Sequence, residues 1–309
     1  MISCTEFIPA YSTMFTYLEE KYGPQEVPAY WEALFVADEF PLYKYIAKEG
    51  LRGCFSYWSH TLNEEAADFT MCLNEKRGFF TITMLHCPSK GRLLELKDSV
   101  GMKPYRNYCL HCDHYRASIE PWGLKYIYNF SGIDHASCSI LVYDPNVFDG
   151  RVIIDEDTVV MDRRASDNEY FHPDFHSSMN KGVTYMAEER SESDITAFLE
   201  KFVDEVYWPV AKAAKEKGLV AIEEKILDTY TKEHALDAVK TELTEDSLTV
   251  TVSYCPAEKH LKSIGATVHP LFKLTTEAVM ARLAKNSGFG FVMEYYNPEN
   301  GAAKYRFTK

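Results

Sequence analysis

The sequence has 309 residues, 46% hydrophobic and 14% aromatic, which is enough to bury a substantial core. Its 33 basic and 46 acidic residues give a net charge of −13, which argues against nucleic acid and anionic membrane surfaces as partners. No segment approaches the roughly 18 consecutive apolar residues of a membrane span, and the start lacks the basic region of a signal peptide. We therefore expect a soluble, cytoplasmic protein. Its eight cysteines should be free, metal-bound or catalytic rather than paired in disulfides.

The chain repeats itself with an offset of 168 residues. Residues 1–100 align with residues 169–268 without a gap and share nineteen identities, where composition alone would give roughly six. The segment "FTITMLHCP" at 80–88 lies over "LTVTVSYCP" at 248–256. Repetition over this length indicates a duplicated domain.

The predicted organisation is therefore two tandem copies of one domain. The first copy covers 1–145 and the second covers 169–309. The segment 146–168 has no counterpart and mixes turn residues, acids and two short β-branched runs, so it is interpreted as a linker.

Each copy begins with helices. In the second copy Ser193 can cap a helix with apolar residues at helical spacing, Pro209 should kink or split it, and Gly218 should end it. A further helix is expected at 219–231 and a short one at 232–240.

The hydrophobic period then changes to two. "FFTITMLH" at 79–86 and "SLTVTVSY" at 247–254 alternate apolar residues with threonine, which predicts strands covered on one face. A Cys-Pro pair ends each strand and starts a helix, because proline suits the first helical turn. The fold class is α+β, with each copy a helical layer followed by a strand, two helices and a β-hairpin.

A cluster of cysteines belongs to the first copy. The helix predicted there places Cys109, Cys112 and Asp113 at i, i+3 and i+4, on one face. Cys87 ends the preceding strand and Cys138 begins the last one. We expect these side chains to lie near one another.

Four interpretations of this cluster stay open. The four thiolates suit zinc or an iron–sulfur centre, and three of them together with His135 would also suit zinc. In either case, Asp113 or His135 would be the base that takes a proton from a metal-bound water. Cysteines also pack as small hydrophobic residues. Cys109 and Cys112 would alternatively form a redox pair. Finally, Cys112 would be a nucleophile assisted by Asp113 and a histidine.

The second copy contains an HxxxH pattern at its start. His172 and His176 would share one face of a helix, with Asp174 between them, which is a spacing used by zinc sites. The pattern lacks the glutamate of HExxH, so it does not predict a metalloprotease. The alternative is that His172 caps the helix, His176 forms a hydrogen bond within the core, and Asp174 favours the helix amino terminus.

Several of these motifs together resemble a known family. Cys87, "CLHCD" at 109–113, "WGLKY" at 122–126 and "SCSILVY" at 137–143 are similar to the L-2-amino-thiazoline-4-carboxylic acid hydrolase-like family of bacterial proteins. A more distant similarity is to vinyl-reductase-type small-molecule-binding domains. The resemblance implies that water opens a cyclic, amidine-like C–N bond.

We therefore expect a small-molecule enzyme, a metal-assisted hydrolase of a cyclic C–N bond, with zinc or iron as cofactor and its site in the first copy. If the copies pack about a pseudo-two-fold axis, the helix of His172 and His176 would complete that site. The alternative is a non-catalytic small-molecule-binding or sensing protein whose cysteines hold structural zinc or are buried. A homo-oligomer is compatible with both.

Overall fold

The structure is a computed structural model that describes residues 1–35 and 40–309. It is a mixed α+β protein with two antiparallel sheets, which confirms the predicted class. Within these two ranges, no helix is both long and apolar enough to cross a membrane.

The chain forms two compact units, each built from separate segments. Unit 1 contains residues 1–21, 96–105 and 171–309, and unit 2 contains residues 22–95 and 106–170. The predicted copies are defined by sequence correspondence, whereas the units are defined by packing. The two-copy organisation therefore stays a prediction.

The elements up to residue 170 include the five-stranded sheet of unit 2. The strand order in that sheet is β3-β4-β2-β1-β5, and every pair is antiparallel. The elements are α1 (Phe7–Tyr22), α2 (Glu26–Leu34), α3 (Pro41–Glu49), α4 (Leu51–Glu64), β1 (Asp68–Asn74), β2 (Phe79–His86), α5 (Pro88–Val100), α6 (Arg116–Ile119), β3 (Lys125–Asn129), β4 (Cys138–Tyr143) and β5 (Val159–Arg163).

Helices α3 and α4 and the sheet enclose the core of unit 2. Trp58 stacks on Phe80 with ring centroids 5.5 Å apart, and Phe69, Ile82 and Val142 are buried beside them. Cys87, Tyr128 and Cys138 pack against this core from its edge. The sheet therefore brings three chemically useful side chains to one border of an apolar interior.

Unit 1 contains the second sheet. Its strand order is β6-β7-β9-β8, again fully antiparallel. The elements after residue 170 are α7 (Phe175–Glu189), α8 (Glu192–Val206), α9 (Trp208–Lys217), α10 (Val220–Lys232), β6 (Val239–Leu243), β7 (Ser247–Val252), α11 (Pro256–Ser263), α12 (Leu274–Ser287), β8 (Gly290–Asn297) and β9 (Ala302–Thr308).

The helices of the second half mostly follow the sequence prediction. Helix α9 begins at Trp208 with Pro209 in its first turn, so the predicted split is confirmed. The cap of α8 is Ser191, not Ser193, because the Ser191 hydroxyl accepts the amide of Asp194. The short helix predicted at 232–240 is wrong, since a 3-10 turn at Leu236–Ala238 leads directly into β6.

The predicted linker contains a strand of the sheet. In β5, Met161 lies opposite Met71 of β1, and the Asp162 carboxylate accepts the hydroxyl of Thr70 at 2.7 Å. The β-branched run at 158–160 supplies part of this strand. The segment 146–168 therefore completes the sheet of unit 2 as well as connecting elements.

Gly53 is required by the close approach of α3 and α4. A Cβ at this position would meet the backbone of Tyr45 and lie 2.6 Å from the amide nitrogen of Ile46. We expect Gly53→Ala to lower the free energy of unfolding by about 1–3 kcal/mol, because helix backbones cannot shift cheaply in a packed core. Urea denaturation measures the change. Ser59→Ala, in the same helix, should stay within about 0.5 kcal/mol, and equal stability of the two variants would contradict the argument.

Candidate functional site

Three elements of unit 2 carry the four cysteines of the predicted cluster. Cys87 follows β2 and donates its amide to the carbonyl of Ala136, just before Cys138 starts β4. Cys109 and Cys112 lie in the segment 108–115. We refer to Cys87, Cys109, Cys112 and Cys138 as the cysteine cluster.

The segment carrying Cys109 and Cys112 is a 3-10 helix, Tyr108–Tyr115, and the prediction of an α-helix there is wrong. With three residues per turn, side chains at i and i+3 eclipse one another, so Cys109 and Cys112 still lie on one side. Asp113 lies about a third of a turn away. Its carboxylate accepts a hydrogen bond from Arg116 at 2.9 Å in a partly exposed ion pair.

The sulfur atoms of the cluster influence one another electrostatically. Burial raises the pKa of the Cys109, Cys112 and Cys138 thiols to about 12, and raises that of Cys87 well above its usual value. Charge on the other three cysteines raises the pKa of Cys87 further, in the same direction as burial. At neutral pH these thiols are protonated.

Two polar groups line the cluster. Burial raises the pKa of the Cys112 and Cys138 thiols, and the Tyr128 hydroxyl acts in the opposite direction on both. The Lys90 amide, in the first turn of α5, points to the sulfur of Cys87 with an N···S distance of 3.4 Å.

Cys112 also contacts a histidine. Its sulfur lies 3.5 Å from Nε2 of His111, and Nδ1 of His111 forms a short hydrogen bond with the carbonyl of Tyr108. A carbonyl can only accept, so Nδ1 carries the proton and Nε2 presents its lone pair to the thiol. Burial lowers the pKa of His111, which keeps the imidazole neutral. Both side chains are half-buried, so the pair is partly accessible.

Glu65 adds a carboxylate to this environment. Its charge raises the pKa of both His111 and Cys112, and it accepts a hydrogen bond from Ser89. Sequence reasoning did not identify His111 or Glu65 as candidates. A signal was present for the carboxylate, because Glu65 and Glu233 form one of the nineteen identities between the predicted copies.

The other first-copy candidate is His135. It ends the 3-10 turn Ile133–His135, at the tip before β4, and its side chain is exposed. The next residue, Ala136, adopts a left-handed conformation with φ +57°. The turn thus serves to bring the chain back to Cys138, as a tight turn before a strand does.

The HxxxH residues of unit 1 have separate surroundings. Helix α7 starts at Phe175, so His172 precedes it and the two imidazoles do not share a helix face. His172 is buried, with its ring against Phe175. Asp174 accepts a hydrogen bond from His260 at 2.8 Å. His176 bonds within the core, as one of the sequence interpretations holds, with its Nε2 at 3.0 Å from Glu233.

Within the two described ranges, metal-ligating side chains approach one another closely at one place. One group of three or more Cys, His, Asp or Glu side chains has its donor atoms within 4.8 Å of one another, and it consists of Cys4, His176 and Glu233. The cysteine cluster does not meet this criterion. Sulfurs on one tetrahedral zinc would lie roughly 3.8 Å apart. The metal role of the cluster therefore stays a prediction.

Comparisons with known proteins supply no relative from which chemistry can be transferred. The candidate chemistry of this chain therefore follows from the geometry of the sites described above. No family model matches the chain, and neither the curated proteins nor the solved structures contain a significant match.

Proposed function

We propose that this protein is a small-molecule enzyme that hydrolyses a C–N bond, with Cys112 as nucleophile and His111 as general base. The observation that carries the proposal is the contact between the Cys112 sulfur and the unprotonated Nε2 of His111, whose ring is oriented by Tyr108. A nucleophile within reach of a base that a third group orients is the arrangement used for covalent catalysis. The class of bond comes from the family resemblance in the sequence.

The chemistry starts from a neutral pair. The Cys112 sulfur attacks the carbonyl or amidine carbon of the ring while its proton passes to Nε2 of His111. That proton then moves to the ring nitrogen as the C–N bond breaks, which leaves a thioester or thioimidate on Cys112. Water adds to this carbon, Nε2 takes a proton from the water, and the thiol leaves with that proton. The enzyme is restored and one water is consumed.

Nucleophilic attack by this cluster requires a base, because its thiols are protonated. A thiol with a pKa of about 12 is a poor nucleophile at pH 7 unless a base removes its proton during the attack. The Tyr128 hydroxyl, which favours the thiolate forms of Cys112 and Cys138, can stabilise negative charge that develops on sulfur. In this mechanism Asp113 and His135, expected as bases, are replaced by His111.

The site belongs to the first of two tandem copies. We infer the duplication from the sequence identities and from the matching strand orders β3-β4-β2-β1 and β8-β9-β7-β6. Gly50 and Gly218 end equivalent helices with similar dihedral angles, and Gly123 and Gly288 both end helical segments in the left-handed conformation. The second copy keeps the fold without the Cys-x-x-Cys segment.

Trapping of the intermediate tests the proposal. The protein is incubated with a panel of cyclic amides and thiazolines, quenched in acid and analysed by intact-mass and peptide mass spectrometry. We expect ring opening and an adduct on Cys112, with both lost in Cys112→Ser and retained in Cys72→Ser, whose thiol lies on β1 outside the cluster. Turnover that persists in Cys112→Ser, or no ring opening across the panel, would contradict it.

The second candidate function is metal binding by the cysteine cluster, either for a metal-assisted hydrolase or for a non-catalytic binding protein. The mutual electrostatic influence of the four cysteines favours it. Metal analysis of wild type and Cys138→Ser separates it from the covalent mechanism. A metal that is lost in Cys138→Ser together with activity would favour the metal-assisted version, because Cys138 has no part in proton transfer.

A further inference from the structure

Unit 1 contains a buried group of three different metal-ligating side chains. Cys4 lies in the 3-10 turn Cys4–Glu6, His176 in the first turn of α7, and Glu233 directly after α10. Their exposed fractions are 0%, 3% and 5%. A thiol, an imidazole and a carboxyl group from three parts of the chain therefore meet away from solvent.

The three donors already face one another. Glu233 accepts the backbone amide of Cys4 through Oε1 and contacts Nε2 of His176 through Oε2 at 3.0 Å. The sulfur of Cys4, a ring nitrogen of His176 and a carboxylate oxygen all lie within 4.8 Å of one another. Ligand atoms on one zinc ion lie roughly 3.3–3.8 Å apart, so small side-chain rotations would close the site.

The backbone holds the carboxylate in place. After α10, His234 takes a left-handed conformation with φ +52°, and the Ala235 amide donates to the carbonyl of Tyr230 at 2.9 Å. This helix ending satisfies carbonyls of the last turn and defines the direction in which Glu233 leaves the helix. Burial and Glu233 raise the pKa of the Cys4 thiol, and the amide of His172, which points to its sulfur, acts in the opposite direction.

We propose that Cys4, His176 and Glu233 form a binding site for a zinc-like divalent cation. Thiolate, imidazole and carboxylate are its usual protein ligands in such combinations. The charge balance supports the proposal, because a divalent cation with one thiolate, one carboxylate and one neutral imidazole has no net charge. A neutral assembly avoids the cost of an unpaired charge in a buried environment.

With three protein ligands, the ion would keep its fourth tetrahedral position for water. It would join the segment that carries Cys4 to α7 and to the end of α10, all within unit 1. Because the ligands are deprotonated on binding, loading would release the Cys4 proton. This site is independent of the cysteine cluster, which lies in unit 2, so the two can be tested separately.

Zinc binding by the full-length chain tests the proposal. Protein stripped with a chelator is titrated with zinc alone, and zinc-edge X-ray absorption then counts the ligand atoms. We expect one equivalent with a single sulfur and nitrogen or oxygen ligands, also in Cys112→Ser, which disables the cysteine cluster. His176→Gln and Glu233→Gln should each weaken binding at least tenfold, whereas Cys72→Ser should bind like wild type.

Three results would overturn the proposal: no zinc retained by the wild type, a ligand set made only of sulfur, or unchanged affinity in both His176→Gln and Glu233→Gln. Circular dichroism checks that each variant is folded. If the substitutions unfold the chain, the ligand count in the wild type and in Cys112→Ser decides whether the proposal holds, because neither protein is changed at the three proposed ligands.

Discussion

His111→Gln should slow the alkylation of Cys112 by about 10²-fold at pH 7, because the substitution removes the group that accepts the thiol proton. Burial raises the pKa of Cys112 to about 12, so without a base the sulfur reacts only through a very small thiolate fraction. The measurement is the rate of iodoacetamide labelling of Cys112, followed by peptide mass spectrometry.

The pH dependence gives a second readout that a purely structural role would not change. Burial lowers the pKa of His111 below its usual 6.5, so the imidazole is neutral and able to accept a proton throughout the neutral range. The wild-type rate should therefore be nearly constant between about pH 7 and 8. In His111→Gln the rate should rise about tenfold per pH unit, since it follows the thiolate fraction.

The matched control is His114→Gln. His114 lies in the same 3-10 helix and packs against Trp31 and Phe35. None of the contacts described for His114 involves the sulfur of Cys112. Cys112 of the His114→Gln variant should be alkylated at the wild-type rate. Identical rates and pH profiles for wild type and His111→Gln would contradict the general-base role.

Lys225→Met should lower the free energy of unfolding by about 3–5 kcal/mol, because it leaves a buried carboxylate without its cation. The Lys225 ammonium lies 2.6 Å from Glu6 in unit 1, and both side chains are nearly buried. The same oxygen of Glu6 accepts the hydroxyl of Tyr207 at 2.7 Å. Chemical denaturation measures the loss.

The acid dependence of stability follows from the same pair. Burial opposes ionisation of Glu6, but the ion pair with Lys225 and the hydrogen bonds from Tyr207 and Ser3 together outweigh it and lower the pKa from 4.5 to about 2. A carboxyl group whose pKa is lower in the folded state than in the unfolded state stabilises the protein at any pH above its unfolded-state pKa. The contribution of Glu6 is therefore present above pH 4.5 and is lost as the pH falls towards 2. In Lys225→Met the stability should change less over this range.

The control for the ion pair lies on the same helix. Lys232 pairs with Asp228 on the surface at 2.7 Å, with both side chains almost half exposed. Lys232→Met should cost less than about 1 kcal/mol, as exposed pairs do. Similar losses for the two lysine variants would show that burial of the Glu6 pair has no special role.

Elements with a clear local pattern were predictable from the sequence. The alternating segments became β2 and β7, and Pro209 separated α8 from α9. Strand β1 was missed because it is buried on both faces over most of its length, which removes the alternation that identifies a strand. Strand β6 was missed because five mostly polar residues at a sheet edge carry little signal.

The sites were predictable only in part. The positions of Cys87 directly after β2 and of Cys138 at the start of β4 agree with the sequence prediction, whereas the convergence of the four sulfurs stays a prediction. The 3-10 helix was not foreseen, because it has only eight residues. Over so short a segment, the pattern of apolar residues does not distinguish a 3-10 helix, with three residues per turn, from an α-helix, with 3.6. The meeting of Cys4 with Glu233 depends on packing between residues more than 200 positions apart, which no local pattern encodes.

Strand β5 also has a consequence for aggregation. Unpaired strand edges invite pairing with other chains, and β5 covers the outer edge of β1, while its own exposed residues include Asp162 and Arg163. A fragment that ended at residue 145 would lose this protection and present the apolar β1 as an open edge. The segment between the predicted copies therefore helps to keep one molecule from adding its sheet to that of the next.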